Sequence, residues 1–141
     1  MDVREALTAV IDGDNIDTSR DPQAVVALAR TLADGLRDSG VDRLACWVGD
    51  DESVLAHAVA VELGVPVLRA TEDLGLLTLE GPRRAGMRVV AVATRWGGRN
   101  SIDPLLGLLR NEGVEPVAFA ALTAGADVGG RGFPVIIVDA A

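Results

Sequence analysis

Arg95, Arg99 and Asn100 surround the glycine pair Gly97-Gly98 in the stretch AVATRWGGRNSIDP, residues 91–104. Residues of these types at this spacing suit an oxyanion: a glycine turn exposes backbone N–H groups, arginine supplies forked charged donors, and Ser101 adds a hydroxyl. The stretch reads as an apolar strand, the turn and a helix opening at Asp103-Pro104, with Asp103 as N-cap. A helix N-terminus would then also face the anion, although the Asp103 charge would oppose it. A plain tight turn accounts for the same glycines through positive φ alone. Trp96 falls within the loop, where an exposed indole would be a partner contact or a stacking platform for a flat ligand.

Two further groups carry chemistry. Asp50, Asp51, Glu52 and Ser53 follow the apolar run LACWVG, and Arg69 lies in VPVLRA; all five are candidate secondary ligand contacts. Asp12, Asp14 and Asp17 in AVIDGDNID are candidate metal ligands, joined in that reading by Asp50 and Asp51. A strand ending in Asp12-Gly13-Asp14-Asn15 resembles the opening of NYN-type nucleases, whose clustered acids bind magnesium for phosphodiester cleavage. That family also has a Ser-Gly-Asp-x-Asp stretch after a central strand, and here VAVATRWGGRN stands in its place without an acid. An Asp-rich turn is also frequent in an acidic chain.

The chain has 141 residues, 49% of them hydrophobic, which suits one domain spanning 1–141 with a sizeable core. Its net charge of −8 argues against nucleic acid or an anionic membrane as partner. All 13 cationic residues are arginine, so chemistry that needs a lysine ammonium is excluded. One cysteine, Cys46, and one histidine, His57, exclude a disulfide framework and a conventional structural zinc site. No basic-then-apolar leader and no run long enough to span a membrane are present, so a cytoplasmic location is expected.

Apolar runs alternate with helix-period segments, which implies an α/β sheet. Asp21-Pro22 opens a helix whose Val25, Leu28, Ala29, Leu32, Ala33 and Leu36 share a face, ending at Ser39-Gly40. RLACWVG, VPVLRA, RVVAVAT, EPVAFAAL and FPVIIVD read as strands and LGLLTLEG as a hairpin arm. SVLAHAVAVELG and DPLLGLLRNEG read as helices, and His57 as a packed or half-exposed helix residue. In such sheets ligands bind at the carboxyl ends of strands near the switch in strand order, which singles out DDES, TEDLGLLTLEG and RWGGRNS.

The order of these pieces resembles the type I phosphoribosyltransferases, orotate phosphoribosyltransferase above all. VIDGDNIDTSRDPQAVVALARTLADGL resembles the family's N-terminal segment, DRLACWVGDDESVLAHAVAVELGVPVL its pyrophosphate loop and helix, and LRATEDLGLLTLEG its mobile catalytic loop. RVVAVATRWGGRNSIDPLLGLLRNEGVEPVAFAAL resembles its phosphoribosyl-pyrophosphate motif, four apolar residues followed by Asp-Asp-x-x-Thr-Thr-Gly-Gly-Ser. The resemblance implies a single-domain, mostly parallel sheet flanked by helices, with a small hairpin for the mobile loop and a reduced N-terminal hood.

The same resemblance implies that the chemistry has been removed. Ala93 and Thr94 stand where the family's paired acids hold ribose hydroxyls and magnesium, and Gly97 to Asn100 replace Thr-Thr-Gly-Gly. Ala70, Asp73 and Leu74 stand for its Lys, Lys and His, while Arg69, Gly75, Glu80 and Gly81 remain. The expectation is a catalytically degenerate protein, a ligand-sensing or protein-interaction domain that binds a phosphorylated small molecule and works as a homodimer or with a protein partner. No cofactor is then required. An active transferase with altered loops is one alternative and a NYN-type nuclease the other, and magnesium is needed only in these two.

Overall fold

The structure, a computed structural model, describes residues 1–125 and 129–139. A short helix α1 (Val3–Val10) and a two-stranded antiparallel hairpin, β1 (Ile11–Asp12) with β2 (Asn15–Ile16), precede helix α2 (Pro22–Leu36). The Asp21 carboxylate caps α2 by accepting from the Ala24 amide, and Pro22 occupies the first turn, where its missing N–H costs nothing. The helix tightens into a 3-10 turn at Arg37–Ser39 before Gly40.

The remaining elements alternate. They are β3 (Arg43–Trp47), α3 (Asp50–Leu63), β4 (Val67–Asp73), β5 (Leu76–Glu80), β6 (Arg88–Ala93), α4 (Ile102–Asn111), β7 (Glu115–Thr123) and β8 (Val135–Asp139). They form one six-stranded sheet of order β5-β4-β3-β6-β7-β8, parallel except for the antiparallel edge strand β5. The strand order reverses between β3 and β6. β3 is followed in space by β4 on one side and by β6 on the other, so the loops leaving these two neighbours diverge at their carboxyl ends.

Side chains of a strand alternate between faces, and the sheet therefore buries two layers. Leu44, Val90, Val92, Ala118, Ala120 and Leu122 face α1, α2 and α3, including the apolar stripe of α2 expected from its sequence. Ala45, Trp47, Val89, Ala91, Ala93, Phe119 and Ala121 face α4, which contributes Ile102, Leu105, Leu106, Leu108 and Leu109. Cys46 is fully buried, and burial, reinforced by the Glu52 charge and opposed by Arg69, pushes its thiol up to about 12. Because the thiolate is the nucleophile, alkylating reagents at about pH 8 are expected to leave native Cys46 unmodified and to label it once denaturant opens the sheet. Mass spectrometry with and without denaturant reads this directly.

Beyond β4 the chain makes no extended loop. Leu74 and Gly75 form a two-residue hairpin turn, both with positive φ (52° and 81°), which leads straight into β5 and matches the small hairpin expected there. Leu74 is fully exposed at its tip. The N-terminal region differs from the nuclease-like expectation. Residues 3–10 are helical, with the Asp2 carboxylate accepting from the Glu5 amide, so Asp12 ends a two-residue strand of a hairpin and not a strand of the main sheet.

Candidate functional site

The diverging loops after β3 and β6 enclose an open cleft of about 750 Å³. One wall is Val48 to Glu52, the start of α3; the other is Thr94 to Asn100; Asp14, Asn15 and Ile16 of the β1–β2 hairpin close one end. Of the residues singled out in the β6–α4 loop, Arg95, Gly97, Gly98, Arg99 and Asn100 line this cleft together with Asp50, Asp51 and Glu52.

The β6–α4 loop owes its shape to its glycines. Gly97 and Asn100 exchange two backbone hydrogen bonds, each 3.0 Å, around the tip Gly98-Arg99. Gly97 and Gly98 have φ of 113° and 57°, which side chains disfavour, so the tight-turn reading of the pair holds. Among the described residues the amides of Gly98 and Arg99 have no acceptor, and the guanidinium groups of Arg95 and Arg99 have no hydrogen-bond or ion-pair partner. Both arginines are exposed. The tip therefore offers two amides and two forked cations to an anion.

Glu52 crosses from the opposite wall. Its carboxylate accepts from the Thr94 amide (2.7 Å), the Thr94 hydroxyl (2.6 Å) and Asn100 Nδ2 (3.0 Å), and Asn100 Nδ2 also donates to the Arg95 carbonyl (3.0 Å). Hydrogen bonds to a charged group contribute about 1.5–3 kcal/mol each when partly buried, so this clip is a principal tie between the walls. Asp51 is likewise committed: it accepts from the amide (2.8 Å) and hydroxyl (2.6 Å) of the buried Thr18 and ties α3 to the N-terminal segment. Asp50 and Asp14 are exposed in the cleft. Four acids thus face two arginines.

Trp96 also lines the cleft, whereas Ser101 lies outside the lining. The Trp96 indole is only 2% exposed: it stacks edge-on against Phe119 at 5.2 Å, and its Nε1 donates to the Ala120 carbonyl (3.1 Å). It is therefore a core anchor and no stacking platform, because its ring is drawn into the apolar layer under α4. Trp47 is also core, and its Nε1 donates to the Ser101 carbonyl (2.8 Å), joining the end of β3 to the start of α4. Ser101 is the N-cap residue of α4 without a side-chain cap bond, its hydroxyl donating to the Gly98 carbonyl (3.1 Å). Asp103 is not the N-cap. The helix begins at Ile102, and the Asp103 carboxylate turns outward to accept from Arg131 at 2.8 and 3.0 Å, which holds its carboxyl below the usual range.

Arg69 is exposed on β4, opposite Glu80, outside the cleft lining, and Ser53 lies within the first turn of α3. His57 is exposed on α3, likewise outside that lining. The three acids of the nuclease-like reading do not converge. Asp12 lies 3.9 Å from Arg20, Asp17 accepts from the amide and hydroxyl of Ser19, which lower its pKa, and Asp14 faces the cleft. Among the described residues no three acid, histidine or cysteine side chains are placed to hold a metal ion.

Sequence reasoning missed several participants, Thr94 in the Glu52 clip among them. Thr18 anchors Asp51; Asn15 lines the cleft from the hairpin; and Gly125 lies so close to the loop that a Cβ there would collide with the Trp96 carbonyl and stand 2.7 Å from Arg95 Cγ. Only the glycine type at position 125 signals such close approach, and it does so without naming the partner.

A mostly parallel sheet with this strand order and a cleft between the β3 and β6 loops is the phosphoribosyltransferase-type fold. Solved structures of that kind superpose on nearly the whole chain. A UMP synthase from Leishmania donovani matches with a TM-score of 0.77 and 23% identity over 96% of this chain, which spans 35% of that longer protein. An adenine phosphoribosyltransferase from Thermoanaerobacter pseudethanolicus matches with a TM-score of 0.77 and 17% identity over 97% of this chain and 98% of its own. Orotate phosphoribosyltransferase from Mycobacterium tuberculosis in complex with inorganic phosphate matches at 0.69 with 19% identity, covering 87% of this chain and 76% of that one. No protein-family model matches the sequence, and no curated protein is a match to it. Among the described residues no helix is long and apolar enough to cross a membrane.

Proposed function

We propose that this chain has given up phosphoribosyl transfer and serves as a sensing or interaction domain for a phosphorylated small molecule, with no need of a metal cofactor. The observation that carries the reading is the state of the β6 terminus: Ala93 is buried without a polar group, and both donors of Thr94 are held by Glu52. Transfer needs cations and magnesium around a departing pyrophosphate, and losing one such stabilising contact costs about 3–4 kcal/mol of barrier. Here four acids line the cleft and the chain contains no lysine. Arg95, Arg99 and the tip amides support retained binding of a phosphate group, and one structural neighbour was solved with inorganic phosphate. Self-association or a protein partner belongs to this reading, with Leu74 and Leu76 exposed on the hairpin as the motivating feature. Sedimentation analysis of the purified chain tests that part.

Assays with phosphoribosyl pyrophosphate, magnesium and either orotate or adenine are expected to show no transfer above the uncatalysed background. Phosphate-bearing sugars are expected to raise the melting temperature, and Arg99→Gln is expected to weaken their binding roughly tenfold, the value of one charge-assisted contact. Turnover in these assays would establish the active-transferase alternative. The absence of any shift with phosphosugars would remove the binding role.

A further inference from the structure

We infer that Glu52 is a built-in competitor for the anion cradle, a carboxylate of the chain that occupies the donors a phosphate group would use. The inference rests on the phosphate-binding reading and specifies how that site is set. The inward-facing donors of the β6–α4 loop are the Thr94 amide, the Thr94 hydroxyl and Asn100 Nδ2, and all three point at one carboxylate, at 2.7, 2.6 and 3.0 Å. Three convergent donors of this kind form an oxyanion pocket, and its present occupant comes from the first turn of α3 on the facing wall. The arrangement is specific to Glu52. Its neighbour Asp51 points to Thr18, and Asp50 is exposed.

The side chain of Glu52 is only half-buried, so it can leave through the open face of the cleft without breaking the core. A phosphate approaching from the tip meets Arg95, Arg99 and the free amides of Gly98 and Arg99 first, then must displace Glu52 to reach Thr94 and Asn100. Displacement frees the α3 wall from the loop, so occupancy of the site and the tie between the two walls exclude each other. Glu52 thereby weakens phosphate binding and selects ligands that can supply a full complement of charge to both arginines.

The test is calorimetric titration of inorganic phosphate into the wild-type chain, Glu52→Gln and Thr94→Val, with the Thr94 amide followed by NMR in the wild type. Glu52→Gln is expected to bind phosphate at least roughly tenfold more tightly than wild type, since one repelling, competing charge is removed. Thr94→Val is expected to bind less tightly than Glu52→Gln, and phosphate is expected to shift the wild-type Thr94 amide. Equal affinity in wild type and Glu52→Gln, or wild-type binding that leaves the Thr94 amide unmoved, overturns the competitor role while leaving the phosphate site in place. No binding to any of the three removes the phosphate site itself, and the competitor role with it. The wild-type NMR arm decides the matter even where a variant does not fold.

Discussion

Trp96→Ala is expected to destabilise the fold by about 3–5 kcal/mol and to lower Tm by roughly 10–20 °C, the range for emptying a buried aromatic position in a domain of this size. The ring is nearly inaccessible, packs edge-on against Phe119 at 5.2 Å, and anchors the loop to β7 through its Nε1 bond to the Ala120 carbonyl. Truncation leaves a cavity between β7 and α4, and that carbonyl loses its indole donor. Trp96→Phe separates the two effects: it keeps an edge-to-face ring pair, so its loss should be about 1–2 kcal/mol, mainly the lost hydrogen bond and reduced contact. Because the backbone of Trp96 continues into the cleft wall, ligand binding should fall with Trp96→Ala by more than its thermal destabilisation alone implies. Thermal melts followed by circular dichroism measure the first effect, and ligand titration well below Tm measures the second.

Thr94→Asp, which places an acid at the end of β6, is expected to destabilise by about 2–4 kcal/mol and to confer no phosphoribosyl transfer. In the structure the Thr94 hydroxyl donates to Glu52 at 2.6 Å. A carboxylate in its place removes that donor and sets two like charges within a few ångströms, a repulsion that partial burial leaves poorly screened. The cost should shrink when Glu52→Gln is added, so the double-mutant cycle should show a coupling of about 1–3 kcal/mol. Additive losses would mean that Glu52 and Thr94 do not act as a pair in solution. The wider consequence is that an acid at position 94 would meet the Glu52 carboxylate of the facing wall, which already holds the Thr94 amide and hydroxyl.

Much of the architecture is legible in the chain. Continuous apolar runs identify the central strands, which are buried on both faces, and the 3.6 periodicity identifies helices that turn one apolar face to the sheet. Asp21-Pro22 and Gly64 mark helix ends through local hydrogen bonding and backbone geometry. Boundaries with weaker local signals shift. Helix α3 begins at Asp50, a turn before the apolar pattern does, and α4 begins at Ile102 with Ser101 as its N-cap residue, while the Asp103 carboxylate accepts from Arg131, 28 residues away. The residues 3–10 illustrate the ambiguity of a short apolar segment, helical here once the Asp2 carboxylate accepts from the Glu5 amide.

The site divides along the same line. Sequence alone determined that a glycine turn flanked by Arg95, Arg99 and Asn100 follows an apolar strand, that acids crowd the loop after the apolar run LACWVG, and that lysine chemistry is absent. These are matters of residue type and short spacing, on which turn geometry and charge depend directly. Only the tertiary structure decided that the Trp96 indole is buried, that Asp51 belongs to Thr18, and that Glu52 crosses the cleft to hold Thr94 and Asn100, contacts separated by 24 to 48 residues. Such pairings depend on which two loops the sheet brings together at the β3–β6 reversal, and a hydrogen bond across a cleft leaves no periodicity in the chain that forms it.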